Sequence, residues 1–211
     1  LDFVGVRNVL ALRGDAIRSE GRFKAESDGH AFAIDLVDQI VDLNKGIYLD
    51  PDLKNSMSTD FCIGVAGYPE KHFEAPNPDS DLRWLKQKAE HGAEYIITQM
   101  FFDNERYFDF VDRCRAEGIN IPIIPGIKPL TTANQLHVLP QVFHVDLPEA
   151  LVQAVEGAKT RDQVKKAGMD WCTRQAEELL EKGVPTLHFY TMGKAMPTQE
   201  IARRVFGRVS A

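Results

Sequence analysis

The chain has 211 residues, 44% hydrophobic and 27% charged, with a formal net charge of −6, proportions that suit one globular domain with a sizeable core. They exclude a disordered chain, and the acidic balance without a Lys/Arg-rich block disfavours nucleic acid as a partner. No apolar run nears the roughly 20 residues of a membrane span, and LDFVGVRN lacks the flank and h-region of a signal peptide, so no membrane partner and a cytoplasmic location are expected.

In chain order, Asn8 to Leu12 is a short apolar run that stops at Arg13-Gly14-Asp15, a strand opening into a charged loop over residues 16 to 31. Phe32, Leu36, Val37, Ile40, Val41 and Asn44 recur at helical spacing and predict an amphipathic helix from Phe32 to Asn44. Lys45 to Asp60 is a surface excursion. Phe61 to Ala66 is nearly continuously apolar, as a strand covered on both faces must be, and it breaks at Gly67 into a loop carrying Tyr68, Glu70, His72 and Glu74. Asn77-Pro78 has the chemistry of a helix start, with Leu82, Leu85 and Ala89 on the core face and Asp81, Trp84 and Lys88 on a neighbouring stripe.

Glu94 to Gln99 is the next strand, and Asn104 to Glu117 a helix closed by Gly118. Asn120 to Ile124 reads as a strand ended by Pro125-Gly126, and Thr131 to Leu139 as a helix stopped before Pro140. Thr160 to Lys182 is the longest helical pattern, Thr186 to Tyr190 the last strand and Thr198 to Phe206 the last helix. Five strands alternating with helices indicate parallel βα units with no second domain boundary, so residues 1–211 are expected to form a single domain. A (β/α)8 TIM barrel takes about 250 residues, which makes this chain about the last five βα units and implies more chain before Leu1.

Glycine-rich phosphate loops of the GxGxxG or GxxxxGK[ST] type are absent. The six histidines do not pair at ligand spacing, so no metal is expected, and Cys62, Cys114 and Cys172 read as buried reduced thiols. Strand ends carry the remaining polar signals. In Arg13-Gly14-Asp15 glycine admits a close backbone approach and Asp15 can accept from a ligand, although an ordinary βα turn has the same composition. Gln99 offers both donor and acceptor to a heterocycle edge. Tyr68 gives a flat face with a polar tip, with His72 on the same loop, and Lys88 can reach a phosphate or merely a solvated helix face.

Five segments in order, LALRGD (Leu10 to Asp15), AGYPEKHFEA (Ala66 to Ala75), ITQMFFD (Ile97 to Asp103), IPGIKP (Ile124 to Pro129) and HFYTM (His188 to Met192), closely resemble methylenetetrahydrofolate reductase over nearly the whole chain. The resemblance implies a (β/α)8 flavoprotein of one-carbon metabolism and methionine biosynthesis, a homo-oligomer that uses FAD, NADH or NADPH, and a folate substrate. Carried across, it implies that Arg13, Gly14, Asp15, Phe32, Ala33, Tyr68, His72, Ala75, Asp81, Trp84 and Lys88 bind FAD. Asp15, Gln99, Gln135 and Lys194 are then implied as folate contacts, with Asp15 and Gln99 at the reacting centre. Two features depart from the family pattern. Lys194 stands where the family often has Arg, keeping the charge without the planar fork, and the family's general-acid glutamate falls upstream of Leu1, so this segment alone is expected to be inactive.

The implied reaction is a ping-pong reduction of 5,10-methylenetetrahydrofolate to 5-methyltetrahydrofolate, in which protonation opens the substrate ring to an iminium that then accepts hydride. Two other readings stay open at this point: a non-redox folate-binding or methyl-transferring barrel, and a noncatalytic fragment with a role in assembly.

Overall fold

The computed structural model describes residues 1–15, 21 and 23–207, so residues 16–20 and 22 of the expected first loop lie outside the described residues. Five strands, β1 (Asn8–Ala11), β2 (Cys62–Gly67), β3 (Tyr95–Met100), β4 (Ile123–Ile127) and β5 (His188–Phe189), form one sheet in the order β1-β2-β3-β4-β5. β1 pairs with β2 and β4 with β5 in parallel. Neighbours in the sheet are neighbours in sequence, as in a (β/α) barrel and unlike a doubly wound sheet, so the fold is the expected partial barrel. The described helices are α1 (Ala33–Asn44), α2 (Pro78–Glu90), α3 (Asn104–Ala116), α4 (Gln135–Phe143), α5 (Glu149–Glu156), α6 (Arg161–Glu181) and α7 (Ala195–Phe206), with a 3-10 turn at Asp2–Val4.

Packing divides the chain into two compact units that interleave in sequence. The first comprises Leu1–Gly67, Leu82–Ile97 and Cys114–Ile123. Its core is built from Val37 and Ile40 of α1, Ile63 and Val65 of β2, Leu82 and Leu85 of α2, and Ile96 of β3, all buried. Asn44, read as a member of the apolar stripe, instead locks the end of α1 to the start of β2. Its Oδ1 accepts from Thr59 Oγ1 (2.7 Å) and from the Phe61 amide (2.9 Å), and its Nδ2 donates to the Phe61 carbonyl (2.8 Å). Gly64 has no side chain because a Cβ would stand 2.2 Å from the Tyr95 ring, whose hydroxyl donates to the Val9 carbonyl at 3.1 Å.

The second unit comprises Tyr68–Asp81, Thr98–Arg113 and the chain from Ile124 onward. Met100, Phe102, Leu130, Leu139, Val145, Leu151, Val155 and Val164 form its core cluster. Each such side chain, moved from water into a packed interior, contributes about 1.5–3 kcal/mol. α6 starts where the Thr160 side chain accepts from the Gln163 amide at 3.2 Å, a cap of about 1 kcal/mol. Asn77 caps α2 as its sequence predicts, accepting from the Ser80 amide at 2.8 Å.

Several expected boundaries move. β4 begins at Ile123 and continues through Pro125-Gly126, which were expected to end it. Gly126 marks a close approach: a Cβ there would lie 2.3 Å from the Thr98 carbonyl oxygen, and its amide donates to Thr98 Oγ1 at 2.9 Å. α4 runs from Gln135 to Phe143 with Pro140 inside it, shifted from the expected Thr131 to Leu139. Before it, Thr132, Ala133 and Asn134 accept in i+3 turns, and beyond Pro140 the helix lasts only until His144 turns left-handed at φ 54°. β5 spans two residues where five were expected, α7 begins at Ala195 ahead of Thr198, and α5, which follows Pro148, was not anticipated. Phe32, placed on the core stripe, precedes α1 with its ring 61% exposed. Cys114 and Cys172 are buried and in no disulfide, while Cys62 is only half-buried.

Candidate functional site

In the second unit, the loop between β2 and α2 is shaped by its own side chains. Lys71, at φ 150°, folds its ammonium back to donate to the carbonyls of His72 (2.9 Å), Phe73 (3.5 Å) and Ala75 (2.7 Å). Asp81, in the first turn of α2, accepts from the His72 amide at 2.9 Å, and a carboxylate near a helix N-terminus is favoured there. The Glu74 amide donates to His72 Nδ1 at 3.2 Å, which places the ring proton of a neutral His72 on Nε2. Tyr68 meets His72 edge to face at 4.6 Å, His72 meets Phe73 at 4.9 Å, and Phe73 stacks on His144 at 4.7 Å. Tyr68, His72, Ala75 and Asp81 are therefore brought together by one loop, Ala75 being buried within it.

Glu70, named on the same loop from the sequence, was given no role there. Its Oε2 accepts from the Asp146 amide at 3.0 Å, while Oε1 is sealed without a hydrogen-bond partner among the described residues. Burial pushes its carboxyl up to about 7; the Asp146 amide opposes the shift, the Asp146 carboxylate adds to it, Arg106 opposes it and Asp103 adds to it.

Three further candidates of this unit follow three different strands or strand ends, and no hydrogen bond joins them among the described residues. Gln99 of β3 accepts through Oε1 from the Met100 amide at 2.9 Å. Its neighbour Thr98 is fully buried, with Oγ1 taken by Gly126 and its carbonyl by the Tyr190 hydroxyl at 2.9 Å. Gln135 opens α4, its Oε1 accepting from the Thr131 amide (2.7 Å), the Thr132 amide (3.0 Å) and Thr131 Oγ1 (3.3 Å). That acceptor is committed to the turn, which leaves the amide NH2 as the group that can address a ligand. Lys194 is exposed at the start of α7, after a turn with Met192 at φ 48° and Gly193 at φ 75°.

In the first unit, Arg13 lies over the Phe23 ring at 4.7 Å, and Gly14 and Asp15 are exposed after β1. The Phe32 amide donates to Asp35 Oδ2 at 2.9 Å at the head of α1, where Ala33 is half-buried. Lys88 of α2 donates to the Ala66 carbonyl at 2.8 Å, which holds its ammonium at the carboxyl end of β2, and Trp84 is 46% exposed. A further lysine, Lys128, directly after β4, was quoted within IPGIKP without a role; a cation set directly after an apolar strand was the signal that marked it.

Comparison with known proteins gives this arrangement a context. Residues 2–205 match the family model described as Methylenetetrahydrofolate reductase. A relative from Arabidopsis thaliana, "Methylenetetrahydrofolate reductase (NADH) 1", is 35% identical over 198 residues, 89% of this chain and 31% of that protein. The 5,10-methylenetetrahydrofolate reductase of Pectobacterium carotovorum subsp. carotovorum is 34% identical over 192 residues, 90% of this chain and 57% of that one. A solved structure from Clostridium thermocellum, described as an uncharacterised protein binding two copies of 5-methyl-5,6,7,8-tetrahydrofolic acid, aligns with a TM-score of 0.48 at 19% identity, over 72% of this chain and 55% of that one. This chain thus spans about a third of the plant protein and little more than half of the bacterial one. Matched by the family model from residue 2 to residue 205, the chain belongs to the methylenetetrahydrofolate reductase family.

Proposed function

We propose that residues 1–211 form a single-domain part, about the last five βα units, of the catalytic barrel of a cytoplasmic, homo-oligomeric enzyme that reduces 5,10-methylenetetrahydrofolate to 5-methyltetrahydrofolate with NADH or NADPH through FAD. The observation that carries the reading is the β2–α2 loop, whose shape is set before any ligand arrives by Lys71 and by the Asp81 carboxylate on the His72 amide. Ordering such a loop in advance removes an entropic cost from binding.

The donor set suits FAD. His72, Arg13 and Lys88 supply N–H groups for a dianionic diphosphate or a flavin edge, and Tyr68 and Trp84 supply flat faces for ring stacking. Bound FAD supplies the hydride relay between nicotinamide and folate that no amino-acid side chain offers. Phe32, Ala33, Gly14 and Ala75 are contacts in this reading because they are small or flat and let a ligand approach.

At the reacting end, the Asp15 carboxylate favours positive charge on the opened folate ring, and the Gln99 carboxamide hydrogen-bonds the pterin edge. Gln135 and Lys194 hold the remainder of the substrate, Lys194 through an anionic group. The nicotinamide leaves before the folate enters, a ping-pong order tested by parallel double-reciprocal plots. Asp15→Asn is expected to slow the folate half-reaction; unchanged kinetics in both half-reactions would remove Asp15 from the chemistry.

The decisive experiment is anaerobic. Purified full-length protein mixed with FAD is expected to retain flavin colour through desalting, to bleach with NADH or NADPH, and to regain colour on addition of 5,10-methylenetetrahydrofolate, whereas the segment of residues 1–211 alone is expected not to turn over. A protein that takes up folate yet remains colourless after FAD would be a non-redox folate binder, and the reductase reading would fail.

A further inference from the structure

The β2–α2 loop is tied at two points to the connection between α4 and α5, far along the chain. Glu70 Oε2 accepts from the Asp146 amide at 3.0 Å. Three residues on, the Phe73 ring stacks on His144, the left-handed residue that ends α4, with centroids 4.7 Å apart and planes 21° apart. Lys71 and Asp81, by contrast, hold the loop to itself and to α2. Phe73 is 52% exposed, so burial does not account for an aromatic ring there; what it offers is a flat face for His144. The row of rings continues along the loop. Phe73 meets His72 at 4.9 Å and His72 meets Tyr68 at 4.6 Å, so contacts from the end of α4 lead to the two side chains proposed to face the flavin.

We propose that Glu70 and Phe73 are positioning residues for the flavin: they clasp the β2–α2 loop to the end of α4, and the loop presents Tyr68 and His72 to the cofactor while the clasp is closed. The inference rests on the FAD reading for the identity of the ligand. An acid sits in the clasp. Glu70 Oε1 is sealed without a hydrogen-bond partner among the described residues, so ionisation in the closed form leaves a charge poorly solvated. The charged groups that face Glu70 are Asp146 of the α4–α5 connection, and Arg106 and Asp103 at the head of α3. Burial outweighs the Asp146 amide and Arg106, and the carboxyl is pushed up to about 7. Opening the clasp returns it to water and towards its ordinary 4.5. Because the raised value belongs to the closed form, closure is most favoured below pH 4.5, weakens as the pH rises towards 7 and stays at that lower level above it.

The test titrates full-length protein, stripped of flavin, with FAD at pH 6 and at pH 8 and reads binding from flavin fluorescence. Apparent affinity follows the closed fraction, so wild type is expected to bind about 3- to 10-fold more weakly at pH 8. Glu70→Gln keeps an acceptor for the Asp146 amide and cannot ionise. Its affinity should match wild type at pH 6 and stay level to pH 8. His72 and His144 are present in both proteins, so the difference between the two profiles belongs to Glu70. Glu70→Ala should bind weakly at both pH values, and Phe73→Ala should lose about 2- to 10-fold in affinity while the Glu70 pH dependence remains.

A residue kept only for packing would shift the melting temperature and leave the pH profile of FAD affinity the same in every variant. Equal profiles in wild type and Glu70→Gln overturn the role of Glu70, and unchanged affinity in Phe73→Ala overturns that of Phe73. If wild type takes up no FAD at either pH, the flavin reading fails and the clasp is judged by hydrogen exchange. The Asp146 amide, corrected for its intrinsic rate, should then be better protected at pH 6 than at pH 8 in wild type, with no such difference in Glu70→Gln. Equal protection at the two pH values in wild type overturns the clasp itself. Should Glu70→Ala not fold, wild type and Glu70→Gln carry the test between them.

Discussion

The β2–α2 loop and the carboxyl end of β4 belong to the same compact unit and handle a lysine in opposite ways. Lys71 spends all its donors on carbonyls of its own loop, at 2.7 to 3.5 Å. Lys128, more deeply buried, has no such partner among the described residues. The first arrangement is complete in the free protein, so removing its lysine harms the fold; the second has no such partner among the described residues to lose, so removing its charge relieves the fold. Buried charge is thus a poor guide to stability until its partners are named.

The largest effect that tests this contrast is expected from Lys71→Met. Three carbonyls lose a charged donor, and the variant should be destabilised by roughly 2–3 kcal/mol in urea melts, with weaker FAD retention. A loss as small as that of an ordinary surface lysine would break the contrast. Next is Asp81→Ala, which leaves the half-buried His72 amide without an acceptor; about 1–2 kcal/mol and faster hydrogen exchange at His72 are expected.

Glu70 sharpens the comparison through pH. Its carboxyl is raised from 4.5 to about 7 in the fold, so the folded loop favours the protonated form. Its contribution is therefore greatest below pH 4.5, declines as the pH rises towards 7 and is level above that. Because Glu70 is only partly buried, solvent screening reduces the effect to about 1–2 kcal/mol. Glu70→Gln keeps an acceptor for the Asp146 amide and should flatten the stability profile between pH 5 and 8, assessed by melting temperature across that range. The smallest expected change is the melting temperature of Lys128→Met, near zero or slightly positive.

Much of this was legible where the signal is local. Asn77-Pro78 predicted the α2 cap, and the period of Val164, Trp171, Ala176 and Leu179 predicted α6 to within a residue at each end. Pro125-Gly126 misled because the reason for Gly126 is the Thr98 carbonyl, 28 residues earlier in the chain. Pro140 misled because a proline near the end of a short helix costs few hydrogen bonds, and a stop signal was read where the helix tolerates it. At the candidate site, the loop residues could be named from sequence, but the bond from the His72 amide to Asp81 could not. Lys71 and Glu70 look alike as solvated charges in PEK; only their tertiary partners separate a donor that fixes the loop from an acid that titrates within it.

Thr98 has a kinetic consequence. Its hydroxyl oxygen holds the Gly126 amide and its carbonyl holds the Tyr190 hydroxyl, so one fully buried residue ties together the ends of β3, β4 and β5. The Gly126 amide can then exchange its hydrogen with solvent only when those ends part, which makes it a clock for their joint opening. A ligand gripping Gln99, the next residue of β3, should slow that clock, giving a single amide from which occupancy can be read.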